Sequence, residues 1–225
     1  MDIQIVHGPG NAAARVALDG GETVTTEGGA MIAMSSDLTV TTTTHKKGKG
    51  GILKAAKRLL GGESFFLNHY EAGSQGGEIW LSTPLPGDMK TMEIDGAKLI
   101  VQAGSFVAAA HGVDVDTGWQ GFKNLLSGEG LFWLSVGGQG SLVVNSFGAI
   151  YPIDVDGEYI VDSGHIVAFD ETLDFKLSKA GSSWLHSFLG GEGMVCRFHG
   201  KGRVWCQSHH PKSFGMSLRP FLKPA

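Results

Sequence analysis

Three glutamates stand at matching places in three similar segments: Glu63 in KRLLGGESFFLNHY, Glu129 in FKNLLSGEGLFWLSV and Glu192 in LHSFLGGEGMVCRFH, 66 and 63 residues apart. Drawn together, three carboxylates would offer a hard cation the oxygen cage it prefers. Each also follows two small residues, and a carboxylate in a glycine turn accepts hydrogen bonds from backbone N–H groups that the turn leaves unpaired. The small-small-Glu context recurs with every copy, so the local role explains the pattern. Glu63, Glu129 and Glu192 are therefore read as repeated structural turn residues.

A second constellation is HKKGKGGILKAAKR, residues 45–58, which holds six of the 18 cationic side chains (Lys46, Lys47, Lys49, Lys54, Lys57 and Arg58) and no acid. A basic loop running into an amphipathic helix suits RNA phosphates or an anionic membrane, each nearby charge contributing about 1 kcal/mol. The plainer alternative is a solvated loop whose Ile52, Leu53, Leu59 and Leu60 pack on a sheet. A phosphate-binding loop needs Ser or Thr after its lysine, and neither follows here. With a formal net charge of −4, the whole chain is no general polyanion binder.

Catalytic templates are missing. There is no G-x-S-x-G, no G-x-x-x-x-G-K-[ST] and no H-E-x-x-H. The nine histidines form no His-x-His pair, the arrangement that puts two metal ligands on one strand face. His209 and His210 are adjacent, hence on opposite faces of an extended chain. His69, His111, His165 and His199 read as ordinary surface or interface residues. No catalytic residue, metal or cofactor is expected, and an enzyme with an unrecognised metal site is the last alternative. In CRFHGKGRVWC, Cys196 and Cys206 lie five residues either side of Lys201. A tight GKG hairpin would set them opposite each other, but the expected state is two reduced thiols in a cytosolic sheet.

The elements that carry these residues are strands. Glycine, 35 of 225 residues, is about twice its usual share, so the chain turns often, and 42% hydrophobic content supplies a full core. After each glutamate an apolar run reaches a glycine-rich stretch (73–77, 138–140, 200–202) and continues as EIWLS, SLVVNS or RVWCQS, which predicts a hairpin three times. A second element recurs as LDGGETVTTEGGAMIA, IDGAKLIVQAGSFVAA and VDGEYIVDSGHIVAF, with Asp-Gly as the turn signal. It aligns Val24, Ile100 and Ile160, then Met31, Phe106 and Ile166, then Ala33, Ala108 and Ala168, with one extra glycine at Gly28-Gly29. The expectation is one mainly β domain, a sandwich or double-stranded β-helix of three internal repeats (about 16–82, 94–146 and 155–208) with pseudo-threefold symmetry. Short helices are expected at 52–60, 119–126 and 183–189, and the proline-bearing tail, 210–225, as an extended segment.

GGAMIAMSSDLTV, KRLLGGESFFLNHY, VQAGSFVAAA, GLFWLSVGGQGSLVVNSFGAI, VDSGHIVAF and GGEGMVCRFHGKGRVWCQS, in this order, resemble the altered-inheritance-of-mitochondria or mitochondrial-biogenesis family, whose prokaryotic members are conserved proteins of unknown function. The resemblance runs from about Val16 to Ser208. It implies a fold like the tryptophan RNA-binding attenuation protein, a variant of the double-stranded β-helix, and assembly as a homo-oligomer such as a trimer. It implies no reaction and no catalytic residues.

MDIQIVHGPGN shows neither a signal sequence nor a presequence, so a cytoplasmic location is expected. The leading expectation is a non-enzymatic β-rich protein acting through self-assembly or protein interaction, a homotrimer being favoured, with Trp80, Trp133, Trp184 and Trp205 as core or interface residues. Binding of RNA or anionic lipid through residues 45–58 is the alternative.

Overall fold

The computed structural model describes residues 1–44, 65–116, 132–179 and 194–222. The first stretch of chain forms β1 (Asp2–Val6), β2 (Ala13–Leu18), β3 (Thr23–Glu27), β4 (Met31–Met34), β5 (Leu38–Thr44), β6 (Phe66–Ala72) and β7 (Gly77–Leu81). The middle stretch forms β8 (Met89–Asp95), β9 (Leu99–Gln102), β10 (Phe106–Ala110), β11 (Val113–Asp116) and β12 (Trp133–Asn145). The last forms β13 (Ile150–Asp162), β14 (Ile166–Asp170), β15 (Asp174–Lys179) and β16 (Met194–Gln207), followed by helix α1 (Pro211–Leu218). The fold is mainly β, as the sequence predicts. One four-stranded sheet runs β1-β2-β7-β4. A larger one runs β13-β16-β14-β9-β12-β10-β3-β6-β5, with β8 and β11 on β12 and β15 on β16. All strand pairs among the described residues are antiparallel, and the sheets do not close on themselves.

Alternation places the core. In β2, Ala14, Val16 and Leu18 point inward while Ala13, Arg15 and Ala17 are half-buried, the period of two that a pleated strand imposes. β10 and β14 break that alternation because both of their faces are covered. The buried clusters straddle neighbouring stretches of chain. Val167 and Ala168 pack with Leu99, Val101 and Leu134, Val107 and Ala108 with Val16 and Ile79, and Trp133 meets Phe169 edge-on at 5.6 Å. Trp133 is thus a core residue, Trp80 and Trp205 are half-buried, and Trp184 lies outside the described residues.

The three expected hairpins are not hairpins. β12 and β16 run unbroken through their glycines, bending at Gly138 (φ 97°), Gly140 (φ 134°) and Gly200 (φ 122°). The first half of β12 pairs with β9 and β11, and the second half with β8 and β10. In the first stretch the chain does break, at Gly73–Gly76, yet β6 pairs with β3 and β5 while β7 pairs with β2 and β4. The glycine signal is a demand for positive φ, and a strand that bends meets that demand as well as a chain that reverses. Cys196 and Cys206 consequently sit ten residues apart on one strand, too far for a disulfide. Both are buried free thiols, pushed by burial up to about 12 and about 11.

The Asp-Gly sites differ in the same way. Gly20-Gly21 makes a turn, Gly96 a bend, and Gly157 (φ 103°) sits opposite Gly200 inside the continuous pair β13–β16. Past them, the ladder register shifts between Met31 and Ala33, between Phe106 and Ala108, and between Ile166 and Ala168. These are the positions that the sequence aligns. The strand before them needs correcting: Ala109 faces Thr25 and Phe169 faces Ile100, so Thr25, not Val24, is level with Ile100. The extra residue of the first stretch therefore falls at Gly20-Gly21 rather than Gly28-Gly29.

The tail is helical over Pro211–Leu218 with a 3₁₀ turn at Arg219–Phe221, not extended. Pro211 occupies the first turn, where its fixed φ fits and its missing N–H costs nothing. His210 Nδ1 accepts from the backbone N–H groups of Lys212 and Ser213. Prolines read as breakers here mark a start.

Candidate functional site

The residues singled out first, Lys46, Lys47, Lys49, Lys54, Lys57, Arg58, Glu63, Glu129 and Glu192, lie outside the described residues, as do the three expected helices. Among the described residues no three His, Cys, Asp or Glu side chains group as a metal site. Five of the histidines are engaged locally. His69 bridges Thr25 (2.9 Å) and Thr43 (2.7 Å), His111 meets Thr23 (2.9 Å), and His165 Nδ1 meets the Gln207 carbonyl (2.8 Å). The two tail histidines dock α1: the His209 ring packs 5.0 Å from Phe147, and His210 Nε2 lies 3.6 Å from Asp162 Oδ1. Phe214 then packs edge-on 5.3 Å from Phe147.

Two strand edges stand out. β4, sequence MIAM, pairs with β7 on one side, and no described strand pairs with its other side. Met31, Ile32 and Met34 are 42%, 56% and 38% exposed, whereas the residues at the same places in β10 and β14 are at most 1% exposed. At the far end of the larger sheet, β13 pairs only with β16 among the described strands. There Tyr159 and Ile160 are 45% and 46% exposed, against 7% and 0% for Leu99 and Ile100 in β9.

Natural sheets blunt open edges with charge, proline or bulges. The first half of β13 does so: Pro152 offers no N–H, and Asp154 and Asp156 pair across to Arg203 (2.6 Å) and Lys201 (3.9 Å). These exposed ion pairs add little stability. Glu158 pairs with Arg197 at 3.2 Å, and beyond it Tyr159-Ile160-Val161 presents an uncharged edge. MIAM carries no charge and no proline. Beside β4, Glu27 at the end of β3 is pushed up to about 7 by burial. Sequence reasoning missed these edges, since MIAM, FVAAA and IVAFD are all apolar up to the closing Asp170 and only the sheet order distinguishes an end from a middle.

The family model described as Mitochondrial biogenesis AIM24 matches residues 3–209. The chain belongs to this family. An uncharacterized protein of Streptococcus pyogenes serotype M6 is 30% identical over 212 residues, covering 91% of this chain and 84% of that protein. The crystal structure of a Streptococcus pyogenes protein is similar with a TM-score of 0.82 at 26% identity, covering 98% of this chain and 99% of that one. Both open edges fall inside the AIM24 match, whereas α1 lies beyond it. No helix among the described residues is long and apolar enough to cross a membrane.

Proposed function

We propose that this AIM24 family member is a non-enzymatic, cytoplasmic protein that works by self-assembly, as a homotrimer. With this go three repeated units (16–82, 94–146 and 155–208) and a fold of the double-stranded β-helix kind, similar to the tryptophan RNA-binding attenuation protein. The supporting observation is the exposure of Met31, Ile32 and Met34 on an open, uncharged edge, a feature that soluble chains suppress unless something covers it. The family description speaks of mitochondrial biogenesis, yet the relatives above come from a bacterium, which has no mitochondria. The chain shares its fold with the bacterial relative of known structure.

Light scattering at two salt concentrations, with and without total RNA, tests this. A stable multiple of 23.7 kDa that ignores salt and RNA is expected. A monomer that gains mass only with RNA at low salt overturns it in favour of the basic segment 45–58.

A further inference from the structure

Resting on the self-assembly reading above, we infer that β4 of one copy pairs antiparallel with the Tyr159–Val161 end of β13 in a second copy, head to tail. The register follows from the two joints already made within the chain. At the first, Ala108, Ala109 and Ala110 of β10 face Thr26, Thr25 and Val24 of β3. At the second, Ala168, Phe169 and Asp170 of β14 face Val101, Ile100 and Leu99 of β9. Both strands of the joint advance in step: 60 residues separate Ala108 from Ala168 and Val101 from Val161, and 75 separate Thr26 from Val101. Stepping back 75 residues from Ala108 gives Ala33. The third joint therefore sets Ala33, Met34 and Ser35 against Val161, Ile160 and Tyr159.

Four independent features agree with that joint. The register shift that precedes the pairing residues in β10 and β14 is present in β4, between Met31 and Ala33. Both strands lack a described partner on the side the joint uses. Met34, Tyr159 and Ile160 are exposed where Ala109, Phe169, Leu99 and Ile100, at the same places in the two internal joints, are buried. The new pairing also continues the sheet that already links the three stretches, rather than opening a different surface. A contact between unlike edges, repeated head to tail, closes into a ring or runs on as a filament.

Cysteine cross-linking tests the register, because antiparallel neighbours lie about 4.5–5.5 Å apart at Cα, within disulfide reach. The variants are Met34→Cys, Ile160→Cys and the double variant, each oxidised with diamide and run without reductant, with light scattering of the native chain alongside. The native cysteines are buried and serve as the unreacted background. The double variant is expected to give species of two and more chains, an equimolar mixture of the single variants a two-chain species, and each single variant alone one chain. A cross-link in either single variant alone, which means like edges pairing, overturns the joint. So does a double variant that cross-links only within one chain. A native multimer in which no combination cross-links leaves self-assembly standing and overturns this joint; a native monomer overturns both.

Discussion

β10 and β4 are strands of one character in two situations. FVAAA lies between β12 and β3 with every residue buried, whereas MIAM lies beside β7 with every residue exposed. Hydrophobicity does not separate them. What separates them is that β3, from the stretch of chain before β10, supplies a covering strand, whereas no described strand does the same for β4. An apolar edge that the fold leaves uncovered, without a charge or proline to protect it, contributes nothing to the stability of one chain. In the proposed joint its contribution is realised between chains.

Substitution at equivalent positions is the strongest way to break that comparison. Met34 and Phe169 hold the same place after the register shift, yet Phe169 is 1% exposed and packs edge-on against Trp133 and Phe198. Phe169→Ala should cost about 3–5 kcal/mol through the cavity it leaves. Met34→Ala should change monomer stability by no more than about 0.5 kcal/mol, as exposed substitutions do. Denaturant unfolding of dilute protein measures both. Equal losses would mean that β4 is covered within its own chain. Met34→Lys carries the comparison to assembly: the fold should persist while the mass by light scattering falls to that of one chain.

The ends of the covering strands give a smaller, pH-dependent contrast. Glu27 closes β3 at an internal joint, and the position level with it in β9 is Gln102. Burial raises the Glu27 carboxyl from its ordinary 4.5 to about 7 in the folded state. Below pH 4.5 it is protonated in both states and costs nothing. As pH rises from 4.5 to 7 the unfolded chain releases the proton first, so stability falls, and the loss is complete above pH 7. Glu27→Gln, which installs the residue found at Gln102, should flatten this slope and stabilise the protein by about 1–3 kcal/mol at pH 8, given 1.4 kcal/mol per pKa unit. Thermal unfolding at pH 5 and pH 8 reads the difference; parallel curves for the two proteins would place Glu27 in contact with water.

Much of the fold was legible because strands write alternation and glycine into a sequence. The alignment of Met31, Phe106 and Ile166 marked equivalent positions without naming a bulge, and a register shift follows each of them, since a bulge needs the same local pattern wherever it occurs. Hairpins at Gly138 and Gly200 were misread because positive φ serves a bend as well as a reversal. The tail helix was missed because Pro211 signals a helix start only when a cap precedes it, and a histidine cap is unusual. The open edges were illegible for a different reason. Exposure of Met34 and Ile160 depends on which strands have neighbours, a property of sheet order over the whole chain that no local window contains.

The smallest effect concerns the tail, which meets the open edge at its last residue. Asp162 ends β13; its Oδ1 accepts the Gly164 N–H at 2.8 Å and lies beside His210, which caps α1. Gly164 has no room for a side chain, because a Cβ there would run into the His210 ring. Gly164→Ala should therefore push His210 away and remove its cap, a loss of about 1 kcal/mol confined to α1. Hydrogen exchange over residues 211–222 should rise while that of β12 and β16 stays unchanged, because the helix buries none of its own residues. The joint between β4 and β13 is made by strand backbone at Tyr159–Val161, so the mass of the assembly should not change. If releasing the tail dissolves the assembly, α1 belongs to the interface, and strand pairing alone does not hold the copies together.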